Sequence, residues 1–415
     1  MKNRERIIVL APAITRHDVG EAYLGYRLLE GLCQRFSVTL VTYRLRKRQE
    51  ASLDLPCEEV VSWDEMPLFH RFERFNSMLK PWFVDYFIKA RRWLRNRLNS
   101  DDGIALVYQL TPMSIRYPSP AVGLGVPLVI GPVGGSVPDL PEFRSEVMAT
   151  QGQWYMRLRG IDSWRLRHDP FLSRSFRDAA RILVTSPHLY ALFDPKLRPK
   201  MTTFVEHGLD AVYPRTLRAG GTLNLLYVGR VVRTKGLRDA VRALALLPEA
   251  LDFRLDVVGD GPDLDAVKEE TRRLGLEQKT TFHGRLVREK IDAFYARADI
   301  FLFPSFREAA GGVIIEAMSH GLPQLCADIG GPAGIVTPLT GFLVEPQSPP
   351  RFANEIATVL MRVANDRALL QRLSEGSLKE AAKTYLWPRR VEMLAGELQT
   401  VIAESRATGS SSRET

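Results

Sequence analysis

The sequence predicts an α/β protein built from two doubly wound parallel-sheet domains. Short apolar runs alternate with amphipathic stretches of helical period along both halves of the chain. The runs are almost continuously apolar, which is typical of strands covered on both sheet faces. A chain of 415 residues is too long for one ordinary core, so we expect two domains.

The first half begins this pattern of strand, helix and strand. Between its first two predicted strands, the stretch YLGYRLLEGLCQRF carries apolar residues at helical spacing. A strand, a helix and a second strand in this order form a βαβ unit. The predicted strands of this half lie at 7–13, 38–43, 59–63, 104–110, 127–133 and 181–186.

The second half repeats the pattern and ends in helix alone from Pro350 onward. Its predicted strands lie at 223–229, 253–259, 280–284, 300–305 and 324–330. Residues 209–222 read as a linker, because they combine proline with paired glycines and show no apolar period.

These boundaries divide the chain into four predicted parts. The first domain covers 1–208 and the second covers 209–384. A last helix at 385–405 is expected to pack back on the first domain, and 406–415 are expected to form a disordered tail.

Composition excludes several classes of protein. The chain is 45% hydrophobic and 25% charged, the balance of a folded protein. Three widely spaced cysteines (Cys33, Cys57 and Cys326) do not make a disulfide scaffold and are typical of a reducing compartment. Cysteine and histidine spacings typical of metal sites are absent, so we expect no metal and no cofactor. No apolar run reaches the ~20 residues of a membrane span, and the initial IIVLAPAI reads as a first strand, so we expect a cytoplasmic protein.

The excess positive charge is confined to the first half. Residues 1–205 hold 30 Lys and Arg against 21 Asp and Glu, whereas the remainder holds 27 of each. Segments 72–99 and 154–182 each mix aromatic residues with seven Lys or Arg. The first segment could form an interfacial amphipathic helix on anionic lipid at the inner face of the cell membrane, or the segments could form an ordinary helix pair that shows arginine to water. Nucleic acid is disfavoured as a partner because no nucleic-acid-binding motif accompanies the charge.

The most specific motif is SFREAAGGVIIEAMSHGLP, residues 305–323. Glu308 follows a predicted strand, Gly311 and Gly312 begin a helix, and Glu316 lies one turn into that helix. A glycine-rich helix N-terminus lets backbone N–H groups approach a phosphate or a sugar hydroxyl. The two carboxylates suit hydroxyls, such as those of a ribose and a hexose that flank a diphosphate. A solvated surface helix would explain the glutamate spacing but not the glycine pair and the preceding strand.

A second motif is YVGRVVRTKGLRDAV, residues 227–241. Arg230 follows a predicted strand, and Lys235 precedes a predicted helix. Both lie at the carboxyl edge of a parallel sheet, where doubly wound folds bind ligands. Two cations there could neutralise a diphosphate without a metal. Nearby, Asp263 and Asp265 form an Asp-x-Asp, which we interpret as the acidic start of a helix and not as a metal site.

Together these motifs resemble the donor-binding domain of family 4 glycosyltransferases (glycosyl transferases group 1), which have the GT-B fold. The matching stretches are GRVVRTKG, VVGDGP, FHGR, FPSFREAAGGVIIEAMSHGLP and TGFLVEP, in the family's order, over about residues 222–346. The resemblance implies two Rossmann-like domains that face a cleft. It also implies metal-independent transfer of a hexose from a nucleoside-diphosphate sugar to a glycan or lipid-linked acceptor, with retention of configuration, in the synthesis of cell-surface or exported polysaccharide.

The resemblance also implies roles for individual residues. Arg230, Lys235 and Glu308 would be catalytic, with Arg230 and Lys235 on the diphosphate. Glu316 would bind the ribose, and Arg288 is a weaker candidate for the base. The donor sugar would be held by Glu308 and the backbone of Ala309, Ala310, Gly311 and Gly312. The sequence has Ala-Ala-Gly after Glu308 where the family more often has Gly-Phe-Gly.

The first half resembles the family less specifically. Gly20, in the loop after the first strand, is expected to let backbone approach the diphosphate. The loop GPVGGSVP, residues 131–138, is expected to face the same cleft. Relatives often place a histidine near the end of the fourth strand, where this chain has Tyr108. His17 and His207 could reach the cleft, although an isolated histidine is more often structural.

Two other functions stay open at the level of sequence. An epimerase or hydrolase of the same fold would turn over a sugar nucleotide without an acceptor. A non-catalytic partner subunit would bind the sugar nucleotide without turnover. The missing histidine and the Ala-Ala-Gly stretch favour this second alternative.

Overall fold

The computed structural model describes residues 4–17, 20–45, 55–66, 80–101, 103–135, 137–151, 160–215 and 221–411. Within these residues the chain forms two parallel β-sheets, of seven and six strands. The first sheet contains β1 (Arg6–Leu10), β2 (Ser37–Arg44), β3 (Glu59–Asp64), β4 (Ile104–Gln109), β5 (Leu128–Val133), β6 (Arg181–Val184) and β7 (Met201–Thr203). The second contains β8 (Leu223–Val228), β9 (Phe253–Val258), β10 (Thr280–Gly284), β11 (Ile300–Phe303), β12 (Gln324–Ala327) and β13 (Gly341–Val344).

Helices cover both faces of each sheet. Those of the first half are α1 (Glu21–Cys33), α2 (Trp82–Ser100), α3 (Arg144–Gln151), α4 (Gly160–His168) and α5 (Pro170–Asp178). Those of the second half are α6 (Leu237–Leu244), α7 (Leu264–Arg273), α8 (Arg288–Arg297), α9 (Gly312–Ser319), α10 (Pro332–Ile335), α11 (Pro349–Asn365), α12 (Arg367–Glu380) and α13 (Trp387–Ser411). The predicted α/β class with two doubly wound sheets is confirmed. The sequence missed the short edge strands β7 and β13, because three or four residues carry little periodicity.

The strand order places a crevice at the carboxyl end of each sheet. The first sheet has the order β3-β2-β1-β4-β5-β6-β7 and the second β10-β9-β8-β11-β12-β13. In the second sheet the chain passes from β8 to β9 on one side and from β11 to β12 on the other. In the first sheet it passes from β1 to β2 on one side and from β4 to β5 on the other. Doubly wound folds bind ligands at such switch points.

The last helix closes the first domain. α13 packs against α1, and its buried Leu394 and Leu398 share an apolar cluster with Leu28 and Leu32. The helix continues to Ser411, through part of the segment expected to be a tail, and Arg406 pairs with Glu5 at 2.7 Å. Residues 412–415 of that tail, 216–220 of the linker, and 72–79 and 154–159 of the two basic segments lie outside the described residues.

One segment of the first half packs into the core of the second domain. The turn Pro141–Phe143 leads into α3, and both Phe143 and Val147 are buried in the apolar cluster that surrounds β8 and β11. The phenyl rings of Phe143 and Phe306 have centroids 4.5 Å apart. Sequence periodicity could not predict this contact between the two halves, because Phe143 and Phe306 each appear only as an apolar position near a short element.

No helix in the described part of the chain combines the length and apolar character needed to cross a membrane. The exposed face of α2 is nevertheless partly apolar, since Val84 and Ile88 are 63% and 61% exposed.

Candidate functional site

The two sequence motifs meet at the switch point of the second sheet. The loop after β8 carries Arg230 and ends in the 3₁₀ turn Arg233–Lys235, while the loop after β11 carries Glu308 and leads into α9. Lys235 Nζ lies 2.5 Å from Glu308 Oε2 and donates a second hydrogen bond to the carbonyl of Arg307 at 3.2 Å. The structure therefore brings two of the predicted catalytic residues into direct contact.

Glu308 is held as a carboxylate. Its Oε1 accepts a hydrogen bond from the N–H of Gly311 at 3.2 Å. Burial by itself would raise the pKa of Glu308, but the Lys235 ammonium and the backbone N–H groups of Gly311 and Ala310 outweigh it and lower the pKa. A negative charge fixed at the start of α9 is also favoured by the helix dipole.

The glycines at the start of α9 are required by their surroundings. Gly311 has a φ of +85°, a conformation that side chains rarely adopt. A Cβ on Gly312 would overlap the imidazole of His207. The backbone of the Ala309–Gly312 stretch is thus packed from one side by His207, while the carbonyl of Ala309 accepts a 3.4 Å hydrogen bond from Thr185 of the first domain.

Glu316 forms a second polar cluster one turn farther along α9. Its Oε1 lies 3.4 Å from Arg288 Nη2, and its Oε2 accepts a hydrogen bond from the Tyr295 hydroxyl at 3.3 Å. Burial raises the pKa of Glu316, an effect that the Arg288 guanidinium and the Tyr295 hydroxyl reduce. The structure thus places Arg288 beside Glu316, although sequence assigned the two residues to different parts of a nucleotide.

Arg230, a predicted donor-site residue, and Asp263, predicted to begin a helix, differ in exposure. Arg230 is exposed on the loop that also bears Lys235. Asp263 is buried and accepts a 3.0 Å hydrogen bond from Arg238, and α7 begins at the next residue. Asp263 thus directly precedes the helix, as predicted, but its carboxylate pairs with Arg238 and makes no capping hydrogen bond to the start of α7. Among the described residues, no group of three or more His, Cys, Asp or Glu is arranged to hold a metal ion.

The first-domain candidates contribute less side-chain chemistry. Gly20 is exposed at the start of α1 with a φ of +72°, and no atom outside its chain neighbours lies within 4 Å of a Cβ built there. Tyr108 is wholly buried in the apolar cluster beneath α1 and α13, and burial raises the pKa of its hydroxyl. It therefore cannot replace a histidine in the cleft. His17 is exposed in the loop after β1.

Two neighbouring residues lie between the domains: His207, which the sequence offered as a candidate for the cleft, and Glu206, which sequence reasoning missed. Glu206 is buried, and its Oε2 has no hydrogen-bond partner among the described residues. Burial raises the pKa of Glu206 to about 7, and the carboxylates of Glu308 and Glu21 act in the same direction. Burial lowers the pKa of His207 to about 4, against the opposite effect of Glu308. The only sequence signal was the juxtaposition of two polar residues just before the linker.

Comparison with solved structures defines the class of fold. The chain is similar over 97% of its length to all of sucrose-phosphate synthase from Thermosynechococcus elongatus, with a TM-score of 0.64 and 20% identity. It is similar over 95% of its length to all of Alr3699/HepE of Anabaena, solved in complex with UDP, with a TM-score of 0.60 and 17% identity. The fold is therefore GT-B, as the resemblance implied.

The comparison with protein families concerns the second domain. Residues 214–377 match the family model of the glycosyl transferases group 1. A 2-deoxystreptamine glucosyltransferase of Streptomyces kanamyceticus is 36% identical over 143 residues, which are 34% of this chain and 36% of that protein. This match confirms the predicted resemblance to the glycosyl transferases group 1 over the second domain. Matches to the first curated relatives span from 36% to 54% of their lengths.

Proposed function

We propose that this protein is a retaining, metal-independent glycosyltransferase of family 4. It would transfer a hexose from a nucleoside-diphosphate sugar to a hydroxyl of a glycan or lipid-linked acceptor. The observation that carries the proposal is the convergence of Lys235, Glu308 and the glycine-rich start of α9 at the switch point of the second sheet. The UDP bound to the GT-B neighbour Alr3699/HepE supports a nucleotide ligand.

The two cations of this site suit a diphosphate ligand. An ammonium has three N–H donors, and Lys235 uses two of them on Glu308 and the Arg307 carbonyl. The third has no hydrogen-bond acceptor among the described residues and could donate to a phosphate oxygen, and exposed Arg230 lies on the same loop. Charge that develops on the leaving diphosphate would be stabilised by these groups in place of a metal.

The two carboxylates of this site suit sugar hydroxyls. Glu316 can accept from ribose hydroxyls while Arg288 lies beside it. Glu308 is held by Lys235 and by backbone N–H groups, so we interpret it as a group that fixes the donor sugar and not as a nucleophile. Without a carboxylate nucleophile, we infer that the acceptor hydroxyl attacks the anomeric carbon on the face from which the diphosphate leaves, which gives retention. The hydroxyl proton would pass to the departing phosphate oxygen as the bond from the anomeric carbon to that oxygen breaks.

A transfer assay tests the proposal. Purified protein would be incubated with radiolabelled UDP-, ADP-, GDP- and TDP-hexoses and a panel of glycan and lipid-linked acceptors, with EDTA present and absent. We expect acceptor-dependent transfer from one donor that EDTA does not reduce. Free or epimerised sugar without acceptor would instead show a hydrolase or epimerase, and binding without turnover over the whole panel would show a partner subunit.

For the basic first domain we propose an anionic membrane surface at the inner face of the cell membrane, where a lipid-linked acceptor of cell-surface or exported polysaccharide would be presented. Exposed Val84 and Ile88 of α2 adjoin exposed Arg92 and Arg95 on the same helix. Burial lowers the pKa of the Arg91 guanidinium, and the like charges of Arg95 and of Arg174 on α5 lower it further. Apolar side chains with arginine beside them suit lipid tails beneath anionic headgroups.

Vesicle sedimentation tests this surface. The double variant Arg92→Ala/Arg95→Ala is expected to lose most binding to vesicles of phosphatidylglycerol and phosphatidylcholine. The matched control Arg351→Ala/Arg372→Ala removes two exposed charges from the second domain and is expected to bind normally. Equal, salt-insensitive binding of all proteins to anionic and neutral vesicles would contradict the proposal.

A further inference from the structure

The carboxylate of Glu146, in the first half of the chain, binds a buried arginine of the loop that bears Lys235. Arg233, on the loop that bears Lys235, is wholly buried. Its Nε donates to Glu146 Oε2 of α3 at 2.6 Å, and its Nη1 and Nη2 donate to the two oxygens of Asp239 at 2.6 and 3.0 Å. A buried guanidinium needs such paired carboxylates, because an uncompensated charge there would be costly.

Arg233 and Lys235 belong to one tight turn. The two residues bound a single 3₁₀ turn, and Gly236 follows in a left-handed conformation with a φ of +76°. A Cβ on Gly236 would overlap the carbonyl of Pro304, so this turn lies tightly against the start of the Glu308 loop. A shift of the Arg233 guanidinium would therefore be transmitted directly to the ammonium that contacts Glu308.

The same segment of the first half also contacts the second donor-site loop. Phe143 lies just before α3, and its ring packs on that of Phe306, two residues before Glu308. The Arg233 guanidinium lies over both rings, 5.4 Å from the centroid of Phe143 and 5.3 Å from that of Phe306. One short segment thus supports both loops that form the donor site.

We propose that Glu146 is a positioning residue for donor binding, acting through Arg233 on Lys235. The inference rests on the proposed function, because it concerns the same diphosphate contacts. It makes the donor site dependent on a residue outside the family-matched region 214–377. The alternative is that Glu146 only stabilises the fold.

The same ion cluster supplies a matched control. Arg242 Nη1 lies 3.1 Å from Glu146 Oε1, and Arg242 Nε lies 2.6 Å from Glu270 Oε1. Glu270 therefore shares the cluster through Arg242, while Arg233 is bound by Glu146 and Asp239. Changing either glutamate to glutamine removes one negative charge next to Arg242 and keeps the side-chain volume. Asp239 remains to balance Arg233 in both variants.

Calorimetric titration with UDP, ADP, GDP and TDP, together with melting temperatures, separates the two roles. We expect Glu146→Gln to weaken binding of the preferred nucleoside diphosphate about fivefold or more, the range of an ordinary coupling between sites. Glu270→Gln is expected to bind it within about twofold of the wild type, although both variants melt at similarly reduced temperatures. Glu146→Asp, which keeps the charge but withdraws it from Arg233, is titrated as a second variant in case the glutamine variant does not fold.

The outcomes are distinct. Equal binding by the wild type and the Glu146 variants, or equal weakening in the Glu146 and Glu270 variants, would overturn this inference alone. A wild-type protein that binds none of the four nucleoside diphosphates would overturn the proposed function and this inference with it.

Discussion

The two walls of the cleft differ in chemistry although both are the carboxyl edge of a parallel sheet. The wall from the second domain, which we call the donor wall, carries the charged residues Lys235, Arg288, Glu308 and Glu316. The wall from the first domain, the opposite wall, meets it through the hydroxyls of Thr185 and Ser186, which donate to the carbonyls of Ala309 and Gly330.

This difference indicates that the two walls have different roles. Ionised groups fixed before the substrate arrives are suited to charge that develops during reaction. Neutral hydroxyls that bond to backbone across the cleft are suited to holding two domains at one separation. We therefore expect changes to the donor wall to affect chemistry, and changes to the opposite wall to affect mainly the packing of the domains.

The largest expected effect is that of Lys235→Ala. The change removes the ammonium that contacts Glu308, and loss of one such electrostatic contact typically costs about 3 kcal/mol in the transition state. We expect kcat/KM for the donor to fall roughly a hundredfold while the circular dichroism spectrum is unchanged. Lys379→Ala, which removes an exposed ammonium from α12, is the control. Near wild-type turnover by Lys235→Ala would exclude the donor-wall assignment.

The next largest expected effect is on the pH dependence of folding stability, through Glu206 and His207 between the two walls. The pKa of Glu206 is raised by burial to about 7, so this carboxyl stays protonated in the folded state where the unfolded chain has ionised. Folding stability from this group is therefore lost as pH rises from about 4.3 to about 7. The pKa of His207 is lowered by burial to about 4, so its contribution has the opposite sign and is lost as pH falls from about 6.5. The two trends oppose each other between about pH 4.5 and 6.5.

Glu206→Gln separates the two trends. Relative to the wild type, the variant is expected to gain stability as pH rises from 4.5 to 8, by at most about 3 kcal/mol, since one pKa unit corresponds to about 1.4 kcal/mol. Urea unfolding at several pH values measures the difference. Glu249→Gln, at an exposed position, serves as the control. A pH-independent difference between Glu206→Gln and the wild type would contradict burial of the carboxyl.

The smallest effect is expected on the opposite wall. Ser186 Oγ donates to the carbonyl of Gly330 at 2.5 Å, and loss of a buried hydrogen bond typically costs about 1 kcal/mol. Ser186→Ala is therefore expected to lower the melting temperature slightly and kcat/KM less than about tenfold. A loss of turnover as large as that of Lys235→Ala would show that the opposite wall takes part in the chemistry.

The sequence by itself determined the local features of this protein. Continuous apolar runs marked the long strands, and glycines marked the turns at Gly236 and Gly311, because both signals depend only on neighbours along the chain. The same local signals placed Lys235 and Glu308 in the loops after the correct strands and Glu316 in the correct helix. The residues of the donor wall could therefore be predicted from their motifs.

Only the tertiary structure decided which distant residues meet. Glu146 reaches Arg233 across 87 positions, and Cys33 and Cys57, far apart in sequence, have sulfurs 3.1 Å apart. The Tyr108 side chain is buried in the core of the first domain, while Glu206 and His207 lie beside the donor wall. Strand periodicity specifies that a side chain is buried but not its partner, because long-range packing and the desolvation of charge depend on how separate elements assemble.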